Sequence, residues 1–237
     1  MNVAILVDYD NLLLSHKTAG LLDLATRVLM QLPKAEGRTR GGCEMRLYGG
    51  WYEGTAMTKP AQDLSVALQA SFPTVIRVPN RSGDLSALAV NASLAVSLIE
   101  EPAHHLFDTF RKKGKPQNVR VKDPVDVGCT NADCTLPLLK KLLRHGSCPV
   151  ASCAVSATDL VYRSEQKIVD TMLTCDLLFA QHQEWDHVVL VSGDDDFIPP
   201  VRTLLLRGTS IIRIHPKFSA QRQQITVGTT RLHELEL

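Results

Sequence analysis

No stretch of this chain is apolar for the roughly 18 residues that a membrane-spanning helix requires. Its start does not have the pattern of a signal peptide, because Met1-Asn2-Val3 leads directly into a strand-like run. The chain also lacks an excess of either charge, since 26 Lys and Arg nearly balance 25 Asp and Glu. We therefore expect a cytoplasmic protein with no membrane partner, in which any basic surface is local.

Motifs of several enzyme classes are missing as well. The His104-His105 pair has no metal-ligand spacing of the HExxH type, and Ser156, Ser192 and Ser219 lack a nucleophile-elbow context. A phosphoacceptor pocket of the receiver type would need an Asp after a middle strand and a later Lys, and the acids do not occur in that order. These absences argue against a zinc protease, a serine hydrolase and a receiver.

The chain does contain short apolar runs that alternate with helical patterns. At 237 residues and 44% hydrophobic content, it is long enough for one sizeable core. Strands are predicted at residues 3–7, 44–52, 74–78, 188–191 and 211–214, and helices at 12–32, 60–70, 164–181 and 198–207. The alternation predicts an α/β fold with a central, mainly parallel sheet and helices on both faces.

The regular pattern is lost between residues 84 and 153, which we interpret as an insertion within a single domain spanning residues 1–237. Helices are predicted inside it at 85–98 and 136–143. Between them, Arg111, Lys112 and Lys113 form a basic, turn-prone run. Such a run is either a solvated loop or a nucleic-acid-binding segment that contacts phosphates.

Four cysteines also lie in or at the end of this insertion. In a cytoplasmic chain, cysteines indicate free thiols or metal ligands rather than disulfides. The spacing is C-x4-C, thirteen residues, then C-x4-C, from Cys129, Cys134, Cys148 and Cys153. Two thiol pairs separated by a helix-length segment suit one structural Zn²⁺. The alternative is four ordinary thiols, since C-x2-C is the commoner zinc spacing.

Carboxylates follow two of the predicted strands. The run at residues 3–7 ends in Asp8-Tyr9-Asp10-Asn11, and the run at 188–191 ends in Ser192-Gly193-Asp194-Asp195-Asp196. Asp170 lies on the predicted helix 164–181. Open α/β sheets bind ligands at the carboxyl ends of their strands, and clustered carboxylates repel one another without a cation. The acids therefore favour a Mg²⁺ or Mn²⁺ site, although Asp195 or Asp196 is also a candidate helix cap.

Together these acidic segments resemble the NYN domain, a branch of the PIN-like nucleases, and in particular its bacterial LabA-like group. The matching motifs are Val-Asp8-Tyr-Asp-Asn11, then Lys167-Ile-Val-Asp170 followed by Asp176-Leu-Leu, then Ser192-Gly-Asp194-Asp-Asp196-Phe197. The likeness covers residues 3–80 and 154–215, whereas the sequence between 84 and 150 departs from a minimal NYN domain. The resemblance implies a PIN-like three-layer fold.

The resemblance also implies roles for six residues. Asp8, Asp170, Asp194 and Asp196 would hold the catalytic Mg²⁺ or Mn²⁺, while Asn11 and Ser192 would occupy polar positions that orient the substrate. Asp176 lies about 240° around a helix from Asp170 and should not face the same cation.

The expected function is a metal-dependent nuclease that hydrolyses phosphodiester bonds, with an RNA endonuclease as the preferred form. A catalytically inactive nucleic-acid-binding or scaffold module on the same fold is one alternative, and a DNA nuclease is another. Retention of all four acids counts against the inactive form. The metal chemistry does not distinguish RNA from DNA, because it does not involve the 2′-hydroxyl.

Overall fold

The computed structural model describes residues 1–34, 40–113, 120–131, 133–217, 226–227 and 230–237. The chain forms two compact units. The larger unit contains Met1–Thr109 and Gln166–Leu237, and the smaller unit contains Phe110–Glu165. No helix in the described ranges is long and apolar enough to cross a membrane.

Strands and helices alternate along most of the chain. The strands are β1 (Val3–Asp8), β2 (Arg40–Tyr48), β3 (Tyr52–Glu53), β4 (Ala56–Met57), β5 (Thr74–Pro79), β6 (Leu85–Leu94), β7 (Phe110–Lys113), β8 (Arg163–Gln166), β9 (His187–Val191), β10 (Ile211–His215), β11 (Thr226–Val227), β12 (Thr230–Arg231) and β13 (His233–Glu236). The helices are α1 (Leu14–Ala19), α2 (Leu21–Met30), α3 (Lys59–Ser71), α4 (Leu136–His145), α5 (Ala157–Leu160), α6 (Val169–Phe179) and α7 (Ile198–Leu206).

The larger unit is built on a seven-stranded sheet in the order β13-β10-β9-β1-β2-β6-β5. Every neighbouring pair is parallel except β5 and β6, which are antiparallel. The α/β class and the mainly parallel sheet predicted from the sequence are thus confirmed. β1 lies at the centre between β2 and β9, so the segments that follow β1 and β9 meet at one edge of the sheet.

Side chains of β1 alternate between the two faces of the sheet, as the pleat requires. Val3, Ile5 and Val7 join the core on the face covered by α2 and α3. Leu6 joins the core on the opposite face, against α6 and α7. The larger unit therefore has three layers, and the same alternation directs Asp8 toward the face that carries α6.

The smaller unit has little apolar core of its own. It contains α4, α5 and β7, which pairs with β8. Among its described side chains, only Pro124, Leu142 and Ala157 are both apolar and buried. Leu136, Leu138 and Leu139 on α4 are each more than 40% exposed. Hydrophobic burial alone therefore contributes little to the stability of this unit.

Two predicted helices are wrong in extent or type. Residues 85–98 were expected to be helical, but residues 85–94 form β6, with Ser86, Leu88 and Val90 buried on one face. Pairing with both β2 and β5 outweighs the helical propensity of this Ala- and Leu-rich segment. The helix expected from residue 164 begins at Val169, because residues 163–166 form β8. The insertion over 84–153 remains a prediction, although β6 belongs to the main sheet.

Candidate metal centre and active site

Asp8 and Ser192 form the centre of the acidic edge. Asp8 ends β1 and Ser192 directly follows β9, and the two strands are parallel neighbours. The Ser192 Oγ donates a hydrogen bond of 2.8 Å to Asp8 Oδ2. The same Oγ accepts a 3.0 Å bond from the backbone N–H of Asp194. Asp8 is only 6% exposed, so its carboxylate is held in a fixed position by buried groups.

Asp194 begins the turn that leads from β9 into α7. Its Oδ1 accepts a 3.0 Å hydrogen bond from the N–H of Asp196, which caps a short 3₁₀ turn at Asp195–Phe197. The capping role considered for Asp195 or Asp196 thus belongs to Asp194. One oxygen of Asp194 is used in the cap, and the side chain still reaches solvent.

Asp170 brings a further carboxylate to this edge from the first turn of α6. Partial burial raises the pKa of Asp170, and the charges of Asp194, Asp196 and Asp10 raise it further. The chain enters α6 through Ile168 in the left-handed conformation, with φ of 59°. Such a backbone is uncommon for a β-branched residue. It sets the direction from which Asp170 approaches the other acids.

The pKa of Asp8 is raised to about 6. Burial is the main cause, and the negative charge of Asp170 adds to it, while the hydrogen bond from Ser192 works in the opposite direction. The structure therefore brings Asp170 within electrostatic range of Asp8, Asp194 and Asp196. Their repulsion is the condition that a bound cation relieves.

Asp10 is held by hydrogen bonds from Gly50 and from Gln166 at the end of β8. Its Oδ2 accepts a 3.0 Å bond from the N–H of Gly50 and another from the side-chain amide of Gln166. Burial raises the pKa of Asp10, and these bonds together with the charge of Lys17 oppose the rise. A Cβ on Gly49 would lie 2.7 Å from Asp10 Oδ2, so this approach requires glycine.

Asn11 lies beside the same carboxylates. Its backbone N–H bonds to the side chain of Asp8, which lowers the Asp8 pKa. Its amide oxygen would be 3.6 Å from a Cβ placed on Gly193, so it faces the start of the β9–α7 turn. Asn11 is exposed, whereas Ser192 is buried. Of the two predicted positioning residues, Asn11 is therefore the one that a substrate can reach.

Arg213 is a residue of the site that the sequence patterns did not identify. It lies on β10, is 2% exposed, and donates to the carbonyl oxygens of Ser192 at 3.2 Å and Asp194 at 2.6 Å. It also contacts the carboxylate of Asp195 at 3.3 Å. Arg213 therefore fixes the turn that presents Asp194 and Asp196. Its one sequence signal is a cation inside the apolar run Ile211-Ile212-Arg213-Ile214.

One acidic residue of the matching motifs, Asp176, does not join the acidic edge. Asp176 is buried elsewhere in the larger unit, where its carboxylate accepts bonds from Tyr48 Oη at 2.7 Å and the Ile99 N–H at 2.8 Å. This agrees with the expectation that Asp176 and Asp170 face different ways.

The predicted basic run and the four cysteines belong to the smaller unit. Arg111, Lys112 and Lys113 form part of β7 rather than a turn. The thiols of Cys129 and Cys134 hydrogen-bond each other, and this bond and the Leu136 N–H lower the pKa of Cys134.

The chemistry of the acidic edge fits a hard divalent cation. Its donors are carboxylate oxygens, which Mg²⁺ and Mn²⁺ prefer. Burial and the repulsion between carboxylates raise the pKa values of Asp8 and Asp170, and this repulsion also favours a cation there. In the described ranges, no group of three or more Asp, Glu, His or Cys side chains is already close enough to hold a metal ion. Both the carboxylate site and the four-cysteine zinc site therefore remain predictions.

The chain matches a known protein family over part of its length. The family model of the NYN domain matches residues 103–226, which is just over half of the chain. The match contains the motifs around Asp170 and Asp194, whereas β1 with Asp8 lies outside it. It also spans the smaller unit, which was expected to depart from the family. The match is to the domain as a whole, so the LabA-like assignment stays a prediction. No curated protein and no solved structure matches the chain.

Proposed function

Since the chain belongs to the NYN domain family of PIN-like nucleases, we propose that it is a Mg²⁺- or Mn²⁺-dependent endoribonuclease. The observation that carries this proposal is the convergence of carboxylates from three elements at the carboxyl edge of the sheet. Asp8 ends β1, Asp170 lies in the first turn of α6 and Asp194 follows β9. Besides burial, the charge of Asp170 raises the pKa of Asp8, and the charge of Asp194 raises the pKa of Asp170. Such clusters of perturbed acids are typical of catalytic sites.

The proposed ligands are Asp8, Asp170, Asp194 and Asp196. When bound there, a divalent cation supplies a water of lowered pKa and neutralises charge on the scissile phosphate. The protein's own contribution is to keep its ligands in place. Ser192 orients the Asp8 carboxylate through a 2.8 Å bond, and Arg213 holds the backbone of the turn that carries Asp194 and Asp196. Asn11 is exposed beside them and is proposed to orient the substrate.

The surroundings of the acids also support hydrolysis without a separate protein base. The hydrogen bonds described at this edge connect carboxylates to Ser192, Gln166, Arg213 and backbone N–H groups. Neither a protein base nor a Cys or His nucleophile would be required if a water of lowered pKa attacked the phosphorus. The reaction class is therefore phosphodiester hydrolysis. RNA as substrate and internal cleavage are the finer parts of the proposal.

The test is to incubate purified protein with end-labelled single-stranded RNA, structured RNA, DNA of the same sequence and a circular RNA. Mn²⁺ or Mg²⁺ should support cleavage of RNA, EDTA should stop it, and linearisation of the circle would show internal cutting. Cleavage of DNA alone would replace the substrate in this proposal. No cleavage of any substrate, with binding retained, would favour an inactive nucleic-acid-binding module.

A further inference from the structure

The smaller unit carries a disproportionate share of the positive charge. Residues 110–165 contain ten Lys or Arg and five Asp or Glu, which is a formal charge of +5. The rest of the chain contains sixteen Lys or Arg and twenty Asp or Glu, a charge of −4. The total of +1 therefore conceals one basic and one acidic unit. A basic unit of this kind attracts polyanions.

A cleft of about 340 Å³ in this unit concentrates the basic side chains. Three basic and two aliphatic residues line it, namely Arg120, Val121, Lys140, Leu143 and Arg144. Lys140, Leu143 and Arg144 are three and four residues apart on α4 and so share one helix face. No acidic residue lines this cleft within the part of the chain that the structure describes.

The three cations are not equivalent. Lys140 forms an ion pair with Asp123, and its hydrogen bond lowers the pKa of that carboxyl. Arg120 and Arg144 are exposed, and neither has an acidic partner among the described residues. A guanidinium presents a planar fork of donors that matches two oxygens of one phosphate. The two arginines are therefore the available anion-binding groups, while Lys140 supplies charge from a fixed position.

The aliphatic walls indicate what kind of anion fits. Val121 is 42% exposed in the cleft, and Leu143 is half-buried beside it. A free phosphate has no apolar surface to place against them, and an acidic side chain has only its short methylene stem. A nucleic-acid single strand offers phosphates together with the apolar faces of sugars and unpaired bases. Protein grooves that follow a single-stranded nucleic acid combine positive charge for the phosphates with apolar surface for the bases.

We propose that the cleft formed by Arg120, Val121, Lys140, Leu143 and Arg144 binds the backbone of a single-stranded nucleic acid. The choice of a nucleic acid over other polyanions rests on the proposed nuclease function. The residues of the cleft belong to the smaller unit, whereas those of the carboxylate edge belong to the larger unit. It also differs from the basic run on β7, because it uses α4 and the segment before Pro124.

Binding is measured in the Asp194→Asn background, so that cleavage does not interfere. Fluorescent single-stranded RNA, single-stranded DNA and duplex are titrated at several salt concentrations. Arg120→Gln with Arg144→Gln should weaken binding of single strands and lower the slope of log K against log salt by about 1.4, since each lost phosphate contact accounts for about 0.7. Arg120→Lys with Arg144→Lys keeps both charges and should keep most of the slope.

A matched control removes two exposed cations from the larger unit, through Lys59→Gln with Arg77→Gln. This pair should leave the salt slope unchanged. Circular dichroism of the Gln variants checks that α4 remains folded. An unchanged slope and affinity in folded Arg120→Gln, Arg144→Gln protein would overturn the proposal. Equal competition by poly-glutamate and by RNA would also overturn it, because the cleft would then select charge alone.

The two proposals fail in distinguishable ways. If the parent chain cleaves no nucleic acid but the Gln variants lose single-strand binding, the cleft stands and the nuclease function does not. If the parent chain cleaves RNA and the Gln variants in that active background show an unchanged KM, the nuclease function stands and the cleft does not. A raised KM with a retained kcat supports both.

Discussion

Ser192 and Asp8 are 184 residues apart in sequence and are joined by a 2.8 Å hydrogen bond from the serine hydroxyl to the aspartate carboxylate. The bond connects the segments that follow the two central strands, β9 and β1. It favours the charged form of Asp8, but burial outweighs it, and the pKa of Asp8 rises to about 6. The central carboxylate of the proposed site is therefore unstable in its charged form until a cation balances it.

Because the pKa of Asp8 is raised in the folded state, the metal-free protein should lose stability as the pH rises. The folded state binds the Asp8 proton more tightly than the unfolded state, in which the pKa is near 3.8. The free energy of unfolding should therefore fall between about pH 4 and pH 6, by at most about 3 kcal/mol. Asp8→Asn has no charge and keeps an oxygen that can accept from Ser192. In EDTA, this variant should be more stable than the parent above pH 6.

The measurement is urea unfolding of both proteins at several pH values from 4 to 8. Mn²⁺ should stabilise the parent at pH 7, by about 2.7 kcal/mol at one hundred times its Kd. It should stabilise Asp8→Asn much less, because one ligand is lost. Parallel stability curves for the two proteins in EDTA would mean that Asp8 is not the group that titrates.

Asp194→Asn should remove activity without unfolding the protein. The amide oxygen can still accept the N–H of Asp196, so the cap survives while the charge is lost. Removing a residue that hydrogen-bonds to a metal ligand typically lowers metal affinity or activity about 10–100-fold. Loss of a ligand should cost at least about 100-fold, measured as cleavage of labelled RNA in Mn²⁺.

Asp195→Asn is the matched control for that substitution. The Asp195 side chain is 81% exposed, and its described ion pair is with Arg213 at 3.3 Å. Exposed ion pairs contribute about 0–1 kcal/mol. The control variant should keep most of its activity. Equal losses in the two variants would remove the distinction between a ligand and a neighbouring surface acid.

The zinc hypothesis predicts a separate metal in the smaller unit. Cys129 and Cys134 are already hydrogen-bonded, so the second pair, Cys148 and Cys153, would have to close onto them. We expect about one zinc per chain in protein purified without chelator. Cys129→Ser with Cys134→Ser should remove it and speed hydrogen exchange over residues 120–155. Cys175→Ser on α6 should do neither. Zinc-free protein that is folded and active would show four ordinary thiols.

The sequence predicted those strands and helices whose burial is evident from their own residue types. β1 and β9 are buried on both faces, so their continuous apolar runs identified them. β6 was mistaken for a helix because its Ala, Ser and Leu residues have weak strand propensity, and its pairing with β2 and β5 is a tertiary effect. Asp8 and Asp194 were predicted as candidate ligands for a similar reason, since charge after an apolar run is visible in the sequence, whereas Asp170 was predicted only from the family resemblance.

Contacts that depend on the fold could not be predicted from the sequence in this way. Arg213 binds two carbonyl oxygens, and carbonyl groups are the same at every residue, so nothing in the letters around 192–194 indicated a partner. The Gln166 amide reaches Asp10 across 156 residues, and that pairing likewise depends on the fold. Such contacts can be recognised only in a structure, whereas the acids proposed as ligands were predicted from the sequence.

Arg213 should therefore matter for activity although it is not itself a proposed metal ligand. Arg213→Met removes the donors to Ser192 and Asp194 and leaves two carbonyl oxygens without their partner. Each such loss costs about 1–3 kcal/mol, so the variant should be less stable by about 2–6 kcal/mol. It should also bind Mn²⁺ more weakly, since the turn carrying Asp194 and Asp196 is no longer held. Calorimetric titration of Mn²⁺ into folded protein measures that effect directly.

Arg213→Lys and Arg202→Met complete the test. Lysine keeps the charge but has no planar fork for two separate carbonyls, so it should restore part of the stability and little of the Mn²⁺ affinity. Arg202 is exposed on α7, and its replacement should leave both quantities close to those of the parent. If Arg213→Met unfolds, Arg213→Lys still separates the two roles. Unchanged Mn²⁺ affinity in a destabilised Arg213→Lys protein would make Arg213 a residue that stabilises the fold without positioning the site.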